Sequence, residues 1–250
     1  MNTTPKTYAE AFLTYFNVCL STTEQERKDV SRIRYRVYCE EFGYESKDTF
    51  PDGLEHDAFD AQSTHCLVTH KASNTPAGCV RVVETLGNDP LPFEKFCASS
   101  LDRKFFENNP MPRENMCEVS RLAVDGMFRR RSGEQSTRFG GVHISDMTQQ
   151  ELRTFPLIAV SCFLAANIMA DLSGRIYLFA MMEPFLPRLL KRSGINFTKI
   201  GENIDYHGLR APYFVTTTEV KENVVPELAE LYAAIHELIA NDFRKLVPLG

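Results

Sequence analysis

No two cysteines in this chain form a CxxC pair, and the seven present (Cys19, Cys39, Cys66, Cys79, Cys97, Cys117, Cys162) show no metal-ligand spacing. Most of them sit beside apolar residues, which predicts buried free thiols in a reducing compartment rather than a thiol nucleophile. GxGxxG, P-loop and HExxH patterns are also missing, so the common dinucleotide, phosphate-cradling and zinc-peptidase motifs do not apply. His65, His70 and His143 read as ordinary polar residues, and no metal site is expected. The formal net charge of -5 supplies no global attraction to nucleic acid or to an anionic membrane. Met-Asn-Thr-Thr-Pro-Lys at the start has no basic region leading into an apolar core, so no secretory leader is expected. The most apolar stretch, 155–172, contains Asn167 and suits a buried helix better than a membrane span. Neither repeats nor low-complexity tracts occur. A cytoplasmic protein is predicted.

What is present fits a single globular domain over 1–250. The length of 250 residues, with 43% hydrophobic and 24% charged residues, allows a sizeable core. The apolar spacing predicts a helix over 8–16 and a second one, capped by Thr22 or Thr23, running toward Phe42 and stopped by Gly43. Residues 1–30 therefore read as an N-terminal helical extension. Pro51-Asp52-Gly53 signals a turn. Strands are expected over 66–70 and 79–85 with a turn over 74–78 between them, and a third over 117–124. A long polar connection over 125–154 precedes the apolar helix. Strands over 175–181, 198–200 and 213–217, a short helix over 187–192 and a closing helix (225–246, within a C-terminal 220–250 segment) complete the order. That order predicts an α/β (α+β) fold with a central mixed, twisted sheet flanked by helices.

Ionisable residues set into apolar strands are the informative feature. Glu118-Val-Ser-Arg121 lies between residues suited to a covered strand, where a charge is costly unless it is paired or used. Strand alternation puts Glu118 and Ser120 on one face and Arg121 on the other. A bulge would be needed to bring both charges to one cleft, and bulges often occur beside active sites. An inward salt bridge explains the motif equally well. Arg81, in Cys-Val-Arg-Val-Val, has the same character. Asp57 and Asp60 form an acidic cluster able to hold an amine or to pair with Arg34 and Arg81, or else a solvated loop. Arg129-Arg130-Arg131 suits a phosphate, an acidic protein surface or a plain solvated loop.

The ordered set of Arg34, Tyr38, Tyr44, Asp57, Asp60, Arg81, Phe93 to Phe96 and Glu118-Val-Ser-Arg121 resembles the acyl-homoserine-lactone (autoinducer) synthases. These share the GNAT acyltransferase fold with N-acyl amino acid synthases. The likeness covers about residues 30 to 215, and in length and Arg-rich loop it is nearest to acyltransferases of the PEP-CTERM/exosortase system. Tyr38 and Tyr44 replace the usual Phe and Trp of the lactone synthases. The resemblance implies an N-acyltransferase moving a fatty acyl group from an acyl carrier protein or CoA thioester to the amine of a small acceptor. It implies no resident cofactor, only the acyl thioester as co-substrate. Glu118 would be the base, with Ser120 and Arg121 completing the catalytic set. Arg34, Tyr38, Tyr44, Asp57, Asp60, Arg81, Phe93 and Phe96 would form the acceptor site. Val119, Leu122, Val124 and Arg129 to Arg131 would meet the donor, the arginines facing an acidic carrier protein. A lactone autoinducer synthase and a non-catalytic module binding carrier protein are the rival readings.

Overall fold

A computed structural model describes residues 7–129, 148, 151 and 153–246. Thr7 caps α1 (Tyr8–Tyr15) through its hydroxyl, and the chain passes directly into β1 (Phe16–Leu20). Nothing in the sequence punctuates that junction, and β1 is a strand the sequence reading did not anticipate. Helix α2 (Glu24–Arg34) starts on a capping box in which Thr23 and Glu26 each bind the other's backbone N–H. It continues into a π-helical turn, Tyr35–Glu41, which ends at Gly43 with φ +63°. The expected helix toward Phe42 is therefore present but widened and underwound in its last turns, a geometry common near functional sites.

Strands β2 (Ser63–His70) and β3 (Thr75–Glu84) form the expected hairpin. Their turn comes earlier than 74–78: Asn74 takes the positive φ, +52°, and Thr75 is already strand. Gly78 serves packing instead. A Cβ there would stand 2.7 Å from Ile158 Cγ2, so glycine lets a helix lie close on the sheet. Two short helices, α3 (Pro92–Phe96) and α4 (Arg103–Asn108), precede β4 (Met116–Val124), and α5 (Gly126–Arg129) follows it.

Beyond the undescribed segment come α6 (Pro156–Leu172), β5 (Tyr177–Met182), α7 (Leu186–Lys191), β6 (Thr198–Lys199), β7 (Ile204–Asp205), β8 (Leu209–Thr216), α8 (Thr217–Asn223) and α9 (Pro226–Leu246). The main sheet runs β1-β2-β3-β4-β5-β8-β6, with β7 paired to β8. Every pairing is antiparallel except β4 with β5. This is the expected mixed sheet with helices on both faces.

Alternation along the strands sorts the core. Cys66, Val68, Val80, Val82, Cys117 and Val119 face α1, α6 and α9 in the larger cluster. On the other face Leu67, Cys79 and Ala123 meet α2, and Val83 and Phe179 meet Phe93 of α3. Glu118 falls between Cys117 and Val119, so it points to the α2/α3 side. The cysteines are free, and all are buried except the half-buried Cys19, as expected. Burial pushes the Cys97 thiol up to about 11, which disfavours the thiolate a nucleophile requires. No helix among the described residues is long and apolar enough to cross a membrane.

Candidate active site

Strands β4 and β5 pair only through Met116, Cys117 and Glu118, opposite Tyr177, Leu178 and Phe179. Beyond that point both strands continue, β4 to Val124 and β5 to Met182, without pairing to each other. The sheet therefore splays open after Glu118. A cleft of about 480 Å³ occupies the gap. Its inner wall is apolar, with Val119, Leu122, Phe163, Met181, Met182 and Leu186. Its outer part carries Tyr38, Tyr44, Glu45, Asp57, Arg81, Ser120, Arg121 and Arg210.

The bulge that the Glu-Val-Ser-Arg pattern required is present. Arg81 pairs with Ser120 and Cys79 with Ala123, so Arg121 and Leu122 together oppose Val80. Arg121 adopts φ +50°, a conformation that non-glycine residues avoid unless their surroundings impose it. The extra residue turns Arg121 into the same cleft as Glu118 and Ser120. The Tyr38 hydroxyl donates to the Leu122 carbonyl at 2.9 Å and anchors the distorted segment to the π-helical turn.

Arg121 then explains its own placement. Its guanidinium reaches Glu55 and Asp57 at 3.1 Å and Glu45 at 3.4 Å, and lies over the Tyr38 ring. Arg81 binds Asp57 at 2.6 Å and Asp60 at 2.8 Å, and its Nε donates to Ser120 Oγ at 3.0 Å. Arg34 binds Glu55 through Nε and Asp60 at 2.7 Å through Nη1. His65 joins the network at Asp60, 3.2 Å away, and so has a structural partner that its sequence context did not indicate. Burial pushes the Asp60 carboxyl up, but the His65 and Arg34 hydrogen bonds and the Arg34 and Arg81 charges outweigh it. The result is a carboxylate held well below its ordinary range.

Glu118 is different. Only 3% exposed, it forms no ion pair among the described residues, and its carboxylate accepts a 2.7 Å hydrogen bond from the backbone N–H of Phe93. Burial raises its pKa to about 8, against the lowering effect of the Phe93 N–H and of the Arg81 and Arg121 charges. A carboxyl poised there can exchange a proton near neutral pH, which is what general acid–base chemistry asks of it. An inward salt bridge for Glu118 is thereby set aside, while Arg121 does form one.

Several sequence-nominated residues stand behind the cleft or away from it. Arg34 and Asp60 form the layer beneath Asp57 and Arg81 and do not line the opening. Phe93 is buried and stacks on Phe179 at 4.8 Å, so it serves through its backbone, whereas Phe96 lines the cleft. Val124 faces the core. Arg129 is committed internally: it pairs with Glu41, donates to the Val124 carbonyl at 2.6 Å and covers the Phe42 ring. It is thus not an open cation for a carrier surface. Arg130, Arg131 and His143 lie outside the described residues, as does most of the Arg-rich loop.

Residues 33–137 match the Acetyltransferase (GNAT) domain family. Over those residues the chain is similar to a GNAT domain. Such a domain is that of an acyltransferase enzyme. Solved structures share the GNAT fold across most of this chain. FeeM, an N-acyl amino acid synthase from uncultured soil microbes, is 17% identical, with a TM-score of 0.54 over 86% of this chain and 97% of its own. BjaI, a CoA-dependent acyl-homoserine lactone synthase with SAM and isopentyl-CoA, is 14% identical, with a TM-score of 0.57 over 90% of each chain. The acyl-homoserine-lactone synthase LasI is 16% identical, with a TM-score of 0.51 over 84% of this chain and 97% of its own. No curated protein matches the sequence.

The cleft and the buried charged layer behind it also include residues that the sequence did not single out as site members. Glu55 is buried between Arg34 and Arg121, although its acidic neighbourhood suggested a solvated loop. Tyr206, His207 and Arg210 enter on the β7–β8 hairpin, whose His207 and Gly208 both take positive φ. The available signal was Gly208-Leu-Arg-Ala-Pro-Tyr213, a stretch that shares in the family resemblance, although no site role was expected of Arg210.

Proposed function

We propose that this acyltransferase moves a fatty acyl group from a carrier-protein thioester to the amine of an amino acid or a closely related small molecule. The observation that carries the reading is Glu118: a buried carboxyl, raised toward neutrality, with no cationic partner, placed where β4 parts from β5. In the proposed reaction the acceptor ammonium loses a proton to Glu118, directly or through a water. The amine nitrogen attacks the thioester carbonyl carbon, a C–N bond forms, the C–S bond breaks, and the thiol leaves with a proton. The unpaired edge of β4 beyond Glu118 offers backbone N–H groups to the developing oxyanion. Ser120 supports the same role, since its oxygen accepts from Arg81 and its O–H remains to donate.

The apolar inner wall suits an acyl chain rather than an acetyl group alone. Support for a carrier donor comes from α7, which adjoins the cleft through Phe185 and Leu186. Arg188, Lys191 and Arg192 are exposed there, beside the exposed Leu189 and Phe185, and form no ion pair among the described residues. A cationic face with apolar anchors, in a chain of net charge -5, fits an acidic protein that delivers its prosthetic arm into the cleft.

Thiol release and amide formation from carrier-protein thioesters test this reading. Glu118→Gln should keep the fold and lower turnover by about 10²- to 10⁴-fold, the range for a lost general base. The wild-type pH–rate profile should rise through about pH 8, and the variant should lack that limb. A folded Glu118→Gln enzyme with full activity would remove the base assignment.

A further inference from the structure

Glu118 depends on a hydrogen bond that its own strand does not supply. The Phe93 N–H that it accepts, at 2.7 Å, belongs to α3, a helix of five residues. A helix that short has too few internal hydrogen bonds to keep its shape in water. Pro92 at its first position has no N–H, so Phe93 carries the first donor inside the turn, and that donor goes to Glu118. Contacts from outside must hold α3 in place.

Glu94 and Arg113 supply them. Glu94 Oε2 accepts from the Leu91 N–H at 2.7 Å, which closes the turn around Pro92 and Phe93. Arg113 grips both oxygens of that carboxylate, Nη1 to Oε1 at 2.5 Å and Nη2 to Oε2 at 2.7 Å, a two-point fork that an ammonium cannot make. Its Nη2 also donates to the Asp89 carbonyl. Arg113 is itself fixed in the turn Arg113–Asn115 that runs into β4, and its carbonyl accepts from the Thr85 hydroxyl, just past β3, at 2.7 Å. The pair thus ties α3 to the two strands that carry Arg81 and Glu118. Neither Glu94 nor Arg113 lines the cleft. The Phe93 ring stacks on Phe179, which fixes the side chain and leaves the direction of its N–H to the backbone.

We propose that Glu94 and Arg113 form a positioning clamp, which holds α3 so that the Phe93 N–H stays on Glu118 and keeps that carboxyl ready to exchange its proton. This rests on the reading of Glu118 as the base and adds two residues that act on it without meeting the substrate. The Arg81 and Arg121 charges lower the Glu118 pKa and the Glu94 charge raises it. Cys97, Cys117 and Tyr206 also feel the Glu118 charge. The Phe93 N–H lowers the pKa by more than Glu94 raises it, so loss of the clamp has a definite sign.

Glu94→Met/Arg113→Met removes one charge of each sign. The full chain is titrated by difference infrared spectroscopy, following the protonated-carboxyl band that Glu118→Gln abolishes. Its pH–rate profile is recorded as thiol release from a long-chain acyl carrier protein thioester, with the standard amino acids as acceptors. Both midpoints should move up by about one pH unit, the scale of a lost hydrogen bond to a charged group. Below pH 8, kcat/KM should fall by up to about tenfold with the ionised fraction. Arg113→Lys, which keeps the charge and loses the fork, should give an intermediate shift, and it decides alone if the double variant does not fold by circular dichroism. Unmoved midpoints in folded variants would mean that the Phe93 stack holds the backbone unaided, and a downward shift that Glu94 acts by charge alone. Either overturns the clamp and leaves Glu118 as the base. A wild-type carboxyl that titrates in the infrared with no matching limb in the rate would overturn the base and the clamp's role with it.

Discussion

Arg34 shows what a single residue costs and contributes in this site. It is 1% exposed, bound to Glu55 and Asp60, with Nη2 buried and unpartnered. Arg34→Met would leave Glu55 with only Arg121 and Asp60 with only Arg81 and His65, inside a largely dry layer. The expected loss is about 3–5 kcal/mol of stability, the usual penalty for breaking a buried ion pair by removing one partner. Urea denaturation measures it, and Arg34→Lys should recover little because an ammonium cannot serve both carboxylates in that geometry. A loss under about 1 kcal/mol would mean that the network relaxes around the gap. Arg81 and Arg121 were legible in the sequence because charge inside apolar strands has to be compensated, whereas Arg34, Asp57 and Asp60 stood out as their possible partners and through the family resemblance. Glu55 was not. Glu55 sits among acidic and polar neighbours that resemble a solvated loop, and its two guanidinium partners come from α2 and β4, distant in sequence.

Elements show the same division. The α6 helix and the β2–β3 hairpin follow directly from apolar periodicity and turn residues. β1 does not, since it leaves α1 without glycine or proline and is only five residues long. The bulge at Arg121 was implied by a charge on the wrong face of a strand, which ties sequence to local geometry before any contact is known. Helix α7 makes a further prediction at this level. Its cations are oriented by a short helix that also supplies Phe185 and Leu186 to the cleft region. Replacing Arg188, Lys191 and Arg192 together by Glu should lower kcat/KM for a carrier-protein thioester at least tenfold. The same acyl group on a pantetheine thioester should suffer much less. Added salt should weaken the wild-type enzyme toward the variant's level, as expected for steering between opposite charges. Equal losses on both donors would place the helix in the acyl pocket's integrity and not in carrier docking.

At the scale of the whole molecule, the site leaves its mark on stability through two opposed titrations. Asp57 and Asp60 are held below the ordinary carboxylate range, against the effect of burial, by Arg81, Arg34 and their hydrogen bonds. Their contribution is present above the unfolded carboxylate pKa of 3.8 and disappears as pH falls through their folded values. Glu118 acts in the other direction. Burial raises its pKa from 4.5 to about 8, so the folded chain keeps a proton that the unfolded chain has already lost. Stability is therefore greatest, for this group, below pH 4.5 and declines as pH rises toward 8. Gln at 118 keeps an oxygen for the Phe93 N–H and carries no ionisation cost. Glu118→Gln should match the wild type near pH 4.5 and exceed it at pH 8.5 by at least ~1 kcal/mol, about the value of one pKa unit. Urea midpoints at the two pH values decide this. A difference that is the same at both would mean that Glu118 ionises normally, and the proposed base would lose its physical ground. A pH-dependent gain in stability, set beside a loss of turnover, would show that the fold tolerates an unfavourable carboxyl at the one place where β4 and β5 part.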